Sequence, residues 1–352
     1  MHINEILTEA FLKNASDIHI TPGVPPVFRI HGKLVKMEDE DNLTAEMVEE
    51  YVRQILTPEQ FSKLEEVGEL DFSYSIRGVS RFRVNAYKQR GSYSIAFRVI
   101  TANIPAFESL GLPAVLKEFT KLNKGLVLVT GPTGSGKSTT LASLIDIMNS
   151  ERDLHIITLE DPIEYLHKHK KSIINQREIG NDTKSFANAL RAALREDPDV
   201  ILVGEMRDLE TISIALTAAE TGHVVFSTLH TVGAAKTIDR IIDVFPPHQQ
   251  QQIRVQLSTV LQGVVSQQLL TRRDGKGRVV ATEVMICNPA IRNLIRENKT
   301  YQIPSIIQTH QRVGMITMEQ SLIELYKRGL ITRDDAYAHA TDFDYMEKLL
   351  SA

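Results

Sequence analysis

The chain has 352 residues, with 40 Lys and Arg against 44 Asp and Glu, and a formal net charge of −4. That length accommodates two domains, and the near balance of charge argues against nucleic-acid binding over a whole surface, though not against a local basic groove. One cysteine, Cys287, excludes an internal disulfide and a cysteine-cluster zinc site, and suits a reducing compartment. The N-terminus lacks the charged-then-apolar order of a signal peptide, and no apolar run approaches the roughly 20 residues that span a bilayer. The expectation is a soluble protein whose membrane role, if any, is peripheral.

In chain order, apolar residues at Ile3, Ile6, Leu7, Ala10 and Phe11 predict a short helix over 3–13. SDIHITPG and PPVFRIHGKLVKM read as short strands punctuated by Pro and Gly, and residues 44–66 as a helix opened by Thr44. DFSYSIRGVSRFRVNAYKQRGSYSIAFRVI then alternates as three strands, turning at Arg77-Gly78 and Arg90-Gly91. Residues 1–100 thus predict an α+β domain with a mostly antiparallel sheet, and 101–113, with two prolines and little periodicity, a linker. From residue 114 onward short apolar strands (GLVLVT, LHIITLE, DVILVGE, HVVFST) alternate with helices at 137–149, 185–196 and 208–221 and a long one near 247–270. That texture predicts a parallel sheet covered on both faces, spanning 114–288. A hairpin turns at DGKG (274–277), and 289–352 reads as mainly helical.

GPTGSGKS follows the strand GLVLVT and precedes the helix-forming STTLASLIDIMN, the strand–loop–helix setting of a phosphate-binding loop. Gly131, Gly134 and Gly136 allow backbone N–H groups to converge, and Pro132, Thr133 and Ser135 complete the loop. The following helix turns its positive end to the phosphates. Lys137 supplies a mobile cation, and Ser138, followed by Thr139, a hydroxyl for Mg²⁺.

In DPDVILVGEMRD a buried strand ends in Gly204-Glu205. A strand beside the phosphate-loop strand delivers its last residue to the same crevice. Glutamate reaches past a metal shell toward a water aligned on the γ-phosphate, and Gly204 leaves room for it. A general base is the functional reading of Glu205, and a strand-end acid meeting water the plain one. ITLEDPIEY ends another strand with Glu160, Asp161 and Glu164, acids that suit Mg²⁺ held through water or, failing that, an acidic surface loop. TGHVVFSTLHT sets His223 before a strand and His230 after it. His230 is placed to sense a γ-phosphate, whereas His223 also reads as a structural histidine.

These four segments, in this order and spacing, resemble the secretion ATPase superfamily of type II secretion and type IV pilus motors. GPTGSGKST corresponds to its Walker A motif, ITLEDPIEY to its acidic box, DPDVILVGEMRD to its atypical Walker B and TGHVVFSTLHT to its histidine box. The resemblance implies a RecA-like P-loop ATPase domain with a smaller N-terminal α+β, PAS-like domain and a helical C-terminal end. It also implies a homohexameric ring, ATP and Mg²⁺ as cofactors, and Glu205 as catalytic acid/base. The lone cysteine excludes the four-cysteine zinc motif of the assembly motors, and AIRNLIRE (290–297) is similar to the signature of the pilus-retraction branch. In that helix Ile291, Leu294 and Ile295 share one face, and Arg292, Asn293 and Arg296 the other.

In SRFRVNAY, Arg81 and Arg83 share one face of an alternating strand, and Arg98 lies in SIAFRVI. The resemblance makes such N-terminal arginines phosphate-binding fingers, Arg81 and Arg98 ahead of Arg83, against a solvated charged face. The resemblance further implies a cytoplasmic motor, peripheral at the inner membrane, that acts on a platform protein and indirectly on pilin. Retraction of type IV pili and twitching motility would be its output. An assembly or secretion motor is the near alternative. A nucleic-acid translocase is disfavoured by the charge balance and the lack of an aromatic-basic stripe, and a non-catalytic nucleotide switch by the presence of Lys137, Ser138 and Glu205.

Overall fold

Turn residues and alternating apolar strands build the first part of the chain, and continuous apolar strands the second. The computed structural model describes residues 2–30, 32–37, 41–100 and 103–351. Two compact units result: Met1–Asn103 with Pro162–Leu166, and Ile104–Asp161 with His167–Ala352. Residues 162–166, expected in the ATPase core, are therefore counted with the first unit, and residues 289–352 with the second.

In the first unit α1 (Ile3–Leu12) opens with a capping box, in which His2 accepts from Asn4 N and Glu5 from His2 N. The strands are β1 (Ala15–Ile20), β2 (Val27–Ile30), β3 (Lys33–Lys36), β4 (Glu69–Ile76), β5 (Ser80–Gln89) and β6 (Ser92–Ile100). They form an antiparallel sheet in the order β3-β2-β1-β6-β5-β4. One helix was expected over 44–66. The structure has two, α2 (Ala45–Ile55) and α3 (Pro58–Val67), with Leu56 extended between them. Pro58 pushes Thr57 out of the helical region, and Thr57 and Gln60 then close a capping box that starts α3. The core buries Ile18, Phe28, Phe82, Val84, Ile95 and Phe97. Each such side chain contributes roughly 1.5–3 kcal/mol.

The opposite face carries a row of charges set by register. Arg29 lies across from Asp17, Asp17 from Arg98, and Arg98 from Arg83. Arg98 Nε donates to Asp17 at 2.9 Å, and Arg29 approaches the same carboxylate at 3.9 Å. Burial raises the pKa of Asp17, but hydrogen bonds from Arg98 and Ser16 outweigh it and hold the group below the usual aspartate range.

The second unit is a seven-stranded sheet in the order β13-β12-β7-β11-β10-β8-β9, parallel except for β13. Its members are β7 (Gly125–Thr130), β8 (His155–Glu160), β9 (Ile173–Glu178), β10 (Val200–Val203), β11 (Val224–Leu229), β12 (Leu261–Thr271) and β13 (Arg278–Ile286). Every residue of β7, β10 and β11 is buried, as strands covered on both sides require. The period of two assigns the faces. Leu126, Leu128, Ile201, Val203 and Val225 join one core, and Val127, Val129, Leu202 and Phe226 the other. The second core also holds Leu141, Leu144, Ile145 and Met148 of α4 (Lys137–Glu151), together with Phe107, which lies inside the expected linker. Residues 101 and 102 of that linker lie outside the described residues.

The first core is covered by α5 (Phe186–Ala193), α6 (Leu209–Glu220), α7 (Ala234–Asp243) and α8 (Pro247–Val260). The helix expected to run to residue 270 stops at Val260, and Leu261 opens β12. Gly263 explains why a strand fits there. A Cβ at that position would stand 2.3 Å from the Phe119 ring, so only a bare backbone lets β12 lie against it. Neither α7 nor β9 was expected. Beyond β13 come α9 (Pro289–Arg296), α10 (Ile303–Thr309), α11 (Met318–Lys327), α12 (Arg333–Ala338) and α13 (Phe343–Ser351). The last three pack with Leu270 and Ala281 of the hairpin. In α9, Ile291 and Ile295 are buried and Leu294 is partly so.

Candidate nucleotide site

The parallel strands run the same way, so their C-terminal ends meet at one edge of the second sheet. Backbone hydrogen bonds tie four of those ends together. Gly131 N donates to Leu229 O at 3.3 Å, Met206 N to Thr228 O at 3.3 Å, and Gly204 N to Leu159 O at 2.7 Å. Residue 131 opens the phosphate loop, so the loop, His230, Glu205 and Glu160 leave the sheet at the same edge. The order differs from expectation in one respect. β10 is not beside β7, because β11 lies between them, which sets the β10 tip two strand spacings away, about 10 Å.

The loop has the features of an anion cradle. Gly131 has φ 140°, and a Cβ there would stand 2.2 Å from Gln267 O, so no other residue fits. Helix α4 begins at Lys137 with no side-chain cap and no acidic residue in its first turn, so its positive end suits an anion. Lys137 is buried, and its Nζ donates to Gly131 O at 2.9 Å and Pro132 O at 3.0 Å. The Ser135 side chain is buried, Ser138 is half-buried in the first turn of α4, and Pro132, Thr133 and Gly134 are exposed.

At the β10 tip the Glu205 side chain is 19% exposed, and two side chains converge on it. Arg207, 75% exposed, donates to Oε1, and His230 Nε2 lies 3.0 Å from the same oxygen. The bond to Glu205 raises the pKa of Arg207. The three side chains line a 360 Å³ pocket with Thr231 and Arg240. At Gly204 a Cβ would stand 3.0 Å from Leu159 O, so its bare backbone lets β10 close on β8. At the β8 tip Glu160 Oε1 accepts from Thr158 Oγ1 at 2.6 Å and Gln176 Nε2 at 3.3 Å.

His223 lies away from this edge, and the remaining expected residues belong to the first unit. His223 precedes β11 at the opposite edge of the sheet, about 20 Å of strand from the phosphate loop, because β11 runs away from it. Its Nδ1 lies 3.0 Å from Ala218 O at the end of α6, a structural position. Glu164 belongs to the first unit, where it lines a 240 Å³ pocket with Arg83, Arg98 and Tyr165. Arg81 is half-buried in the same sheet, while Arg83 and Arg98 are exposed. Arg207, Arg240 and Gln267 were not singled out from the sequence. Arg207 was visible two places after Glu205, whereas Gln267 was hidden in a segment read as helix.

The chain is similar to several known proteins. The type IV pilus retraction ATPase PilT of Pseudomonas aeruginosa is 50% identical, over 96% of this chain and 97% of its own length. A twitching motility protein of Neisseria gonorrhoeae is 50% identical over 91% and 86%. A crystal structure of the pilus retraction motor PilT with bound ADP has a TM-score of 0.91 and 55% identity, covering 99% of both chains. The ATPase DotB of Legionella pneumophila has a TM-score of 0.83 and 30% identity, over 96% of this chain and 94% of that one. A model of the type II/IV secretion system protein family matches residues 1–332, and the chain belongs to that family.

Proposed function

We propose that this protein is an ATP-hydrolysing motor that powers retraction of type IV pili, and with it pilus disassembly and twitching motility. The observation that carries the chemistry is the shared sheet edge, where an uncapped helix behind a glycine loop stands with the Glu205–His230 pair. The pilus assignment is supported by the likeness, over nearly all of both chains, to a retraction motor crystallised with ADP.

In this reading the phosphates take the loop amides and the first N–H groups of α4. Lys137 exchanges the carbonyls of Gly131 and Pro132 for phosphate oxygens. Glu205 orients the attacking water and accepts its proton, while His230, on the same carboxylate oxygen, holds the base in position. Mg²⁺, when bound with ATP, neutralises charge on the phosphates. The hard oxygens of Ser138 and Glu160 suit it, and no cluster of three or more His, Cys, Asp or Glu that could hold a metal exists among the described residues. The ion would therefore arrive with the nucleotide. Arg81 and Arg98 enter the proposal as cations on the departing phosphate, with Arg83 and Glu164 beside Arg98.

The proposal extends to a homohexamer acting at the cytoplasmic face of the inner membrane on a platform protein, and through it on pilin. No helix among the described residues is long and apolar enough to cross a membrane. A deletion strain complemented with Glu205→Ala tests the direction of the motor. Hyperpiliated, immobile cells support retraction, and bald cells identify an assembly motor instead.

A further inference from the structure

We infer that Gln267 is a positioning residue for the phosphate loop, one that fixes the direction of the Gly136 amide. The inference rests on reading that loop as the nucleotide site. Gln267 follows Ser266, which pairs with Thr130 at the point where β7 becomes the loop. It meets the loop in two places and α4 in one. Its carbonyl oxygen occupies the space beside Gly131 that a Cβ would need. Its side-chain Nε2 donates to Ser135 O at 2.7 Å, and its Oε1 accepts from the Thr140 hydroxyl at 3.0 Å. Gln267 is 1% exposed, and Ser135 and Thr140 are each 2% exposed.

Chemistry fixes the amide's orientation. The Ser135 carbonyl only accepts, so the NH₂ end faces it, and the oxygen end is left for the Thr140 hydroxyl. A buried amide satisfied at both ends is held in one rotamer. The peptide between Ser135 and Gly136 is planar and trans, so its C=O and N–H point to opposite sides. Tying the oxygen to β12 therefore turns the Gly136 N–H away from β12, the direction an anion in the loop requires. Thr140 anchors the same glutamine to α4, so loop, helix and strand share one brace.

The test is equilibrium binding of fluorescently labelled ADP with Mg²⁺ to the full chain, alongside steady-state hydrolysis and thermal melting. Gln267→Met keeps length without the two polar bonds. It is expected to bind ADP about tenfold more weakly, equivalent to about 1.4 kcal/mol. Its kcat at saturating ATP should stay within about threefold of the parent, since the loop binds ground and transition states alike. Gln267→Glu sets a carboxylate against the Ser135 carbonyl and should bind more weakly still. Thr140→Val, about threefold weaker, and Thr140→Ser, restored to the parent, decide the matter if the glutamine variants do not fold. A purely structural glutamine would lower the melting temperature and leave affinity below the melt unchanged. Parent-like ADP affinity in Gln267→Met and Gln267→Glu overturns the inference, as does failure of Thr140→Ser to restore binding. A parent chain that binds no ADP would instead defeat the nucleotide reading itself.

Discussion

Replacing Glu205 by glutamine separates the chemistry of the site from its architecture. The substitution keeps side-chain length and an acceptor oxygen, so His230 and Arg207 retain a partner at the β10 tip. What it removes is basicity. A positioned base accounts for about 10²–10⁴ in rate, or about 3–5 kcal/mol of barrier. Stability should barely change, because Arg207 is 75% exposed and His230 44%. Exposed pairs of that kind contribute about 0.2–1 kcal/mol, which moves a melting temperature by no more than about 4 °C. Nucleotide affinity, set by the loop and α4, should stay within about threefold of the parent. Phosphate release, labelled-ADP titration and thermal melting, measured on one preparation, read the three quantities together. A kcat within about fivefold of the parent would remove Glu205 from the role of base.

The packing leads to three further outcomes. Gly131→Ala forces a Cβ onto Gln267 O and a positive φ on alanine, about 1–3 kcal/mol of strain, so nucleotide binding should fall steeply, with ADP titration as the check. Burial pushes His167 down to about 4 from its ordinary 6.5, so the folded chain keeps it neutral while the unfolded chain takes up a proton. Its contribution is whole above pH 6.5 and is lost as pH falls toward 4, by up to about 3 kcal/mol. His167→Gln should flatten the acid limb of the stability profile, and an unchanged limb contradicts the assignment. Arg292 Nη1 donates to Ser258 O at 2.6 Å and Thr259 O at 3.0 Å, at the C-terminal end of α8. Arg292→Ala should therefore lower the melting temperature by several °C, while exposed Arg296→Ala leaves it alone; equal effects of the two would count against the cap.

The loop was readable because its chemistry is local. Glycines, lysine and serine sit within eight residues, and the flanking strand and helix are continuous patterns. The capping box of Thr57 and Gln60 was equally local, and with Pro58 it marked a helix break that apolar spacing alone passes over. β12 shows the opposite case. Its LQGVVSQQLL is apolar enough to extend the preceding helix, and what makes it a strand is non-local: pairing with β7 on one side and β13 on the other, with Phe119 packed on Gly263. Reading it as helix hid Gln267. The direction of β11 was legible, and it already implied that His223 and His230 cannot share one strand end. Strand order was not legible, so the insertion of β11 between β7 and β10 had no signal in either segment. That Glu164 is counted with the first unit and Glu160 with the second is of the same kind, since it depends on where the five residues after Asp161 pack.

The row Arg29, Asp17, Arg98, Arg83, with Glu164 in the pocket beside Arg83 and Arg98, sets three guanidiniums against two carboxylates on a molecule whose overall charge is −4. Ionic strength should therefore pull in two directions. At about 0.15 M salt, where screening extends only about 8 Å, an anion approaching that exposed face feels the local surplus of positive charge and not the distant negative total. Raising the salt weakens this attraction, but hardly touches a phosphate enclosed by the loop and the start of α4. Salt titration would thus tell a surface encounter apart from an enclosed one.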